Sequence, residues 1–168
     1  MLSIINRLFG RRADPTIGWP RLSLPAPPLL TVRQSLGNLR FGDEIARVRM
    51  FGRPDVFSWT GKDYCELIYL AAGFQIDCDH GRFAFASYFL GPDEFLPKGA
   101  SFSSPCIDSA GVVSASMSIN ALKDLLGQPR VEEGDEYEIL LGYAFNGLVL
   151  NFEADVAGKL KRLDVHPV

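Results

Sequence analysis

Cysteine is scarce in this sequence, with three residues in 168: Cys65, Cys78 and Cys106. A sparse, odd-numbered set is not typical of the disulfide framework that stabilises small secreted domains. We therefore expect a reducing compartment and a cytoplasmic location. The chain is 47% hydrophobic, which is apolar enough to build a core without such cross-links.

The sequence also lacks an excess of charge of one sign and a long apolar run. Its 17 basic and 20 acidic residues give a net charge of −3, which argues against nucleic acid as a partner. No segment approaches the roughly 20 apolar residues of a membrane span. In residues 1–12 the apolar positions precede Arg11 and Arg12, the reverse of a secretory signal. A short amphipathic helix there, resting on a membrane surface, is one alternative function.

Proline is concentrated in two stretches that divide the chain, one from Asp14 to Pro28 and one from Pro92 to Pro105. Because proline removes a backbone donor and favours extended geometry, both stretches are predicted to be connectors. The predicted organisation is an N-terminal segment with connector at 1–29, a first repeat at 30–90, a linker at 91–105 and a second repeat at 106–168.

The two predicted repeats share a pattern that recurs after about 75 residues. Asp43 and Ser118 stand where a helix N-cap is expected. A short apolar stripe then ends in a Gly-x-Pro stop, at 52–54 and 127–129, and apolar strand patterns follow. The pattern predicts an α+β fold of two tandem helix-plus-antiparallel-meander repeats, with the helices packed on one face of antiparallel sheet.

Each repeat is predicted to contain a hairpin. Asn146-Gly147 between apolar runs is a strong signal for a two-residue type I′ turn that pairs Phe145 with Leu148. One face of such a hairpin is apolar and the other polar, as in a sheet with one face on the core and the other in water.

The same register in the first repeat puts a turn at Ala72-Gly73 and pairs Cys65 with His80. The polar face of this hairpin then carries three carboxylates, Glu66, Asp77 and Asp79. Third strands are predicted near 83–90 and 160–165.

This unit resembles the repeat of the β-lactamase inhibitor protein family and the SmpA/OmlA-type domain of BamE outer-membrane assembly lipoproteins. It is also similar to two-copy bacterial proteins of that pattern. The matching residues are Phe51-Gly52-Arg53-Pro54 with Gly81-Arg82-Phe83, and Leu126-Gly127-Gln128-Pro129 with Gly158-Lys159-Leu160. The resemblance implies helices on one side of a sheet whose other side can receive a protein partner. The inhibitor's cysteine pairs and the lipoprotein's lipidated cysteine are absent, so neither family's target is implied.

Few residues offer chemistry. Cys65 with His80 would allow a cysteine nucleophile and a histidine base, which gives a second alternative function, a small hydrolase or ligand-binding enzyme. The interpretation favoured here places the cysteines in the core, treats the three carboxylates as a solvated face and treats the acidic run 132–136 as a turn. Motifs for phosphate, dinucleotide or zinc-protease chemistry are missing. We therefore predict no catalytic residue, no metal and no cofactor.

Aromatic residues complete the candidate set, because interface cores favour such side chains. Trp59, Tyr64, Tyr88 and Phe95 flank the predicted sheet, although Trp59 serves equally well as a cap on the hairpin. The predicted partner-binding residues are Trp59, Tyr64, Glu66, Asp77, Asp79, Tyr88 and Phe95. The expected function is a non-catalytic protein–protein interaction module, of the inhibitor or immunity type, that binds another protein through the open sheet face. The sequence leaves the oligomeric state undefined.

Overall fold

The structure is a computed structural model that describes residues 12–22, 27–28, 30–31, 35–94, 96–108, 110–114, 116–145 and 147–168. In chain order its elements are β1 (Leu30–Thr31), β2 (Ser35–Leu36), β3 (Leu39–Arg40), α1 (Ile45–Val48), a 3-10 turn (Arg49–Phe51), β4 (Val56–Trp59), β5 (Tyr64–Tyr69), β6 (Phe74–Asp79), β7 (Arg82–Phe89), β8 (Cys106–Ile107), β9 (Gly111–Val112), α2 (Ile119–Leu126), β10 (Val131–Gly134), β11 (Glu138–Phe145), β12 (Leu148–Asp155) and β13 (Leu160–Pro167).

The long strands form one antiparallel sheet of eight strands in the order β10-β11-β12-β13-β7-β6-β5-β4. Residues 86–89 of β7 pair with residues 162–165 of β13, which joins two four-stranded meanders edge to edge. The short strands form a second sheet in the order β3-β2-β1-β8-β9.

The predicted α+β fold of two tandem helix-plus-meander repeats is therefore wrong. The protein is mostly β, and its two α-helices have only four and eight residues in the part of the chain that the structure describes. The strands of both predicted repeats belong to one continuous sheet because β7 pairs with β13. A pairing between strands so far apart in sequence leaves no local pattern, so the sequence could not reveal it.

The hydrophobic core lies against one face of the large sheet. Buried side chains occupy alternate positions of each long strand, as at Leu148, Leu150 and Phe152, which are each at most 1% exposed. The small sheet and the helices cover this face. Their contributions to the core are Leu30, Leu36, Leu39, Val48, Ile107 and Leu122.

The two helix starts differ. The Ser118 hydroxyl accepts a hydrogen bond from the Ala121 amide at 3.2 Å, so the predicted cap of α2 is confirmed. Asp43 does not cap α1, because its carboxylate accepts from the Arg40 amide at 2.9 Å instead. The prediction at Asp43 is wrong because α1 begins one residue later than expected, so that Glu44 occupies the N-cap position, and its side chain makes no capping hydrogen bond.

The predicted strand register is correct for the second hairpin and incorrect for the first. Phe145 pairs with Leu148, as the Asn-Gly signal predicts. In the first hairpin Tyr69 pairs with Phe74 across a four-residue loop, not across a two-residue turn. The Gly73 amide closes this loop on the Tyr69 carbonyl at 2.9 Å. The predicted register is therefore wrong by two residues, a shift that keeps the side chains of β5 and β6 on their predicted faces.

The edges of the large sheet are strands that the sequence did not show. Residues 132–136 were predicted to be a turn, yet β10 takes in 132–134, and Val131, Glu132, Glu133 and Gly134 pair with β11. All four are exposed, so the strand has no apolar alternation to reveal it. Charged side chains on an edge strand oppose pairing with another chain.

Candidate binding surface on the open sheet face

Side chains between the core positions point to the opposite face of the large sheet, which we call the open face. Cross-strand pairing sets them in rows across several strands. One row consists of Ser58, Glu66, Asp77 and Phe85. The adjacent row consists of Ile68, Gln75, Ser87, Asp164 and Asn151.

Asp77 lies on β6, the third strand from one edge of the large sheet, and is only 5% exposed. One carboxylate oxygen accepts from the Tyr64 hydroxyl at 2.6 Å, and the other accepts from the Gln75 amide at 2.7 Å. Burial raises the pKa of Asp77 to about 6, against the opposing effect of these two hydrogen bonds. The neighbouring Glu66 carboxylate adds to the increase. Asp77 is thus a buried carboxylate held mainly by neutral donors.

Glu66 lies directly opposite Asp77 on β5. The Ser58 hydroxyl donates to Glu66 at 3.1 Å. Among the described residues, no basic side chain lies within ion-pair distance of Glu66 or Asp77. Like charges placed directly opposite each other on adjacent strands repel, so this half of the open face carries uncompensated negative charge.

The other half of the open face is balanced by Arg162. Its guanidinium bonds the Glu153 carboxylate at 2.6 Å and lies 3.3 Å from the Asp164 carboxylate. Its Nε has no well-directed hydrogen bond among the described residues, so the contact with Asp164 is mainly electrostatic. Asp164 also accepts from the Ser87 hydroxyl at 2.6 Å, while burial raises its pKa.

A β-bulge shapes the open face beside Asp77. The register of β6 with β7 shifts between Asp77 and Cys78. Phe83 therefore stays in the core, whereas Phe85 stands opposite Asp77 on the open face. The Phe85 ring stacks on the His166 ring with centroids 5.9 Å apart, which places an aromatic pair beside the acidic pair.

The structure brings together three of the seven candidate residues, Tyr64, Glu66 and Asp77. Asp79 ends β6 at an exposed site and contacts the His80 ring at 2.9 Å. Tyr88 is fully buried and donates to the Pro28 carbonyl at 3.3 Å, so it cannot contact a partner in this fold. The seventh candidate, Phe95, lies outside the described residues.

Trp59 packs against the core and not on the open face. Its ring meets Phe57 edge to face at 5.5 Å, and the Arg12 guanidinium lies 5.0 Å above it. The indole Nε1 is buried without a hydrogen-bond partner among the residues described. The structural role that the sequence left open for Trp59 is the one its position supports.

The cysteine–histidine arrangement is not formed. Cys65 lies opposite Cys78 and not opposite His80, and both cysteines are 0% exposed. The His80 side chain is 75% exposed beside Asp63 and Asp79. The predicted pair is not formed because the four-residue loop sets Cys65 opposite Cys78, and because His80 lies in the two-residue turn between β6 and β7.

Within the described ranges, no cluster of three or more histidine, cysteine or acidic side chains could hold a metal ion. In the same ranges, no helix has the length and apolar character needed to cross a membrane. The alternative of membrane recruitment rests on residues 1–12, of which 1–11 lie outside the described residues.

Sequence reasoning missed the residues contributed by the central strands, which are Phe85, Ser87, Glu153, Arg162 and Asp164. A signal was present in β13, where polar Arg162, Asp164 and His166 alternate with buried Leu163 and Val165. What could not be read was that β13 lies beside β7, which places Asp164 next to Ser87.

These features define a mostly β protein with one large sheet, a covered face and a partly acidic open face. No protein-family model matches the chain, and no curated protein matches it. Its fold is similar to the crystal structure of a DUF4309 family protein, YjgB, from Bacillus subtilis, with a TM-score of 0.55 and 12% identity over 79% of this chain and 84% of that one. At this identity the likeness shows the fold alone. The resemblance to the β-lactamase inhibitor and BamE families stays a prediction.

Proposed function

We propose that this protein is a non-catalytic protein-binding module whose partner docks on the open face and places a basic side chain against Glu66 and Asp77. The observation that carries the proposal is the uncompensated acidic pair on β5 and β6, in one half of the open face. A module of this kind would act by binding alone, as an inhibitor or immunity-like protein does.

Free energy supports the choice of a basic partner. Removing a carboxylate from water disfavours its ionised form, and a nearby cation restores that form. Asp77 is 5% exposed, and its hydrogen-bonding donors are neutral in the described part of the chain. A guanidinium or ammonium group from a partner supplies the missing charge and forms charge-assisted hydrogen bonds.

The surroundings also suit recognition. A carboxylate has about four lone-pair sites, and the Tyr64 and Gln75 bonds use one on each oxygen of Asp77. These bonds fix the carboxylate before a partner arrives. Phe85 and His166 add an aromatic surface next to it, of the kind on which a guanidinium stacks.

The experiment compares three proteins: wild type, the double variant Glu66→Gln with Asp77→Asn, and a control Glu132→Gln with Glu133→Gln. The control removes the same charge from the exposed edge strand β10. Each isotope-labelled protein is titrated with a short oligoarginine peptide and with an oligoglutamate peptide of equal length. We expect oligoarginine to shift amide signals of β5, β6 and β7 in the wild type and in the control only.

The same three proteins then serve to isolate a partner from cell extract. A protein that binds the wild type and the control, but binds the double variant at least 10-fold more weakly, supports the proposal. Binding should also weaken as pH falls through about 6, where Asp77 takes up a proton. Equal binding to all three proteins, or oligoarginine shifts confined to β10, would refute the docking site.

A further inference from the structure

We infer that Cys65 and Cys78 form a site of covalent modification, at which oxidation creates a disulfide across β5 and β6. The two cysteines are direct partners in the antiparallel register. Both are free thiols in the structure. This site is independent of the proposed binding function.

The backbone geometry permits the bond. Opposite residues of an antiparallel pair have Cα atoms roughly 4.5 to 5.5 Å apart, and disulfides span Cα distances of about 4.4 to 6.8 Å. Both side chains point into the core, since each is 0% exposed. The thiols therefore face each other without any change of strand pairing.

The two thiols are also unequal. Hydrogen bonding from the Cys78 thiol lowers the pKa of Cys65, against the opposing effect of burial. The same interaction, together with burial, raises the pKa of Cys78. Cys65 is therefore the thiol that ionises first, and the thiolate is the nucleophile in disulfide exchange.

A small disulfide such as oxidised glutathione is the oxidant. The Cys65 thiolate attacks one glutathione sulfur, forms a mixed disulfide and releases one glutathione thiolate. Cys78 then loses its proton and attacks the Cys65 sulfur, which releases the second glutathione thiolate. The two cysteines are oxidised by two electrons, and one glutathione disulfide is reduced to two thiols. Because both cysteines are buried, the first attack requires local opening of the strands.

The test uses a Cys106→Ser background, because Cys106 is half-buried on β8 and its thiol could react separately. The folded protein is incubated with oxidised glutathione, then denatured, alkylated and weighed by mass spectrometry. We expect a product about 2 Da lighter than the dithiol, with no alkylation and a peptide cross-link between residues 65 and 78. Adding a second substitution, Cys65→Ser, should abolish this product.

A refolding arm separates blocked access from wrong geometry. The reduced, unfolded Cys106→Ser protein is refolded in a glutathione redox buffer. The bridged product should unfold cooperatively at a midpoint roughly 5 to 10 °C above that of the dithiol form. Mixed glutathione adducts without a bridge, a dithiol that survives refolding, or a bridged form with a lower midpoint would each overturn the inference.

Discussion

Replacing Asp77 by Asn should stabilise the protein at neutral pH, although it removes a residue with two good hydrogen bonds. Asn has nearly the same shape, and both hydrogen bonds can be kept if the Gln75 amide turns, so that its oxygen accepts from the amide group introduced at position 77. Burial raises the pKa of Asp77 from 3.8 to about 6. The folded state therefore holds the proton more tightly than the unfolded state, and ionisation of Asp77 favours unfolding as pH rises from about 4 to about 6.

The magnitude follows from the size of the shift. One pKa unit corresponds to about 1.4 kcal/mol, so the penalty above pH 6 is at most about 3 kcal/mol. Urea unfolding of wild type and Asp77→Asn at several pH values should show similar free energies of unfolding near pH 4. As pH rises to 8, the free energy of unfolding of the variant should come to exceed that of the wild type.

A matched control is Asp135→Asn on the exposed turn before β11. Amide hydrogen bonds from Tyr137 and Glu138 lower the pKa of Asp135, so this carboxylate favours folding above its unfolded pKa. The control variant should lose stability at neutral pH and match the wild type in acid. A difference between wild type and Asp77→Asn that does not vary with pH would refute the account of Asp77.

Two further predictions concern the backbone. Gly73→Ala should lower the free energy of unfolding by at least about 2 kcal/mol more than Gly81→Ala, as measured by urea unfolding. Both glycines have similar positive φ angles, but of the two only Gly73 would bring a Cβ into overlap with the Ser101 carbonyl. Equal losses of stability in the two variants would contradict this. Ser118→Ala should cost about 1 kcal/mol through loss of the α2 cap, whereas the exposed Ser116→Ala should have little effect, and thermal unfolding of both variants checks the difference.

Local signals in the sequence predicted the elements they act on directly. The Asn-Gly signal predicts that Phe145 pairs with Leu148, and the register of β11 with β12 agrees, although Asn146 itself lies outside the described residues. Ala72-Gly73 contains a glycine with positive φ but belongs to a four-residue loop. The sequence pattern shows where the chain reverses, but not how many residues the reversal takes.

In the candidate site, too, the sequence predicted what local strand alternation determines and missed what distant strand pairing determines. Glu66 and Asp77 were assigned to the open face by strand alternation, which tolerates a register error of two residues. Arg162 and Asp164 were missed because their position depends on the pairing of β7 with β13. Tyr88 was misplaced because the β-bulge and the distant Pro28 carbonyl decide its surroundings. Properties that depend on distant strands are the ones the sequence could not supply.

The pairing of β7 with β13 also determines how the protein can be divided. Cleavage within 91–105 followed by separation of the fragments would remove β13 from beside β7, so that each of these strands keeps a partner on one side only. Each fragment would then present an eight-residue strand with one unpaired edge, whose amides and carbonyls are open to any neighbouring chain. We therefore expect neither fragment to be soluble on its own, and both to be soluble when they are produced together.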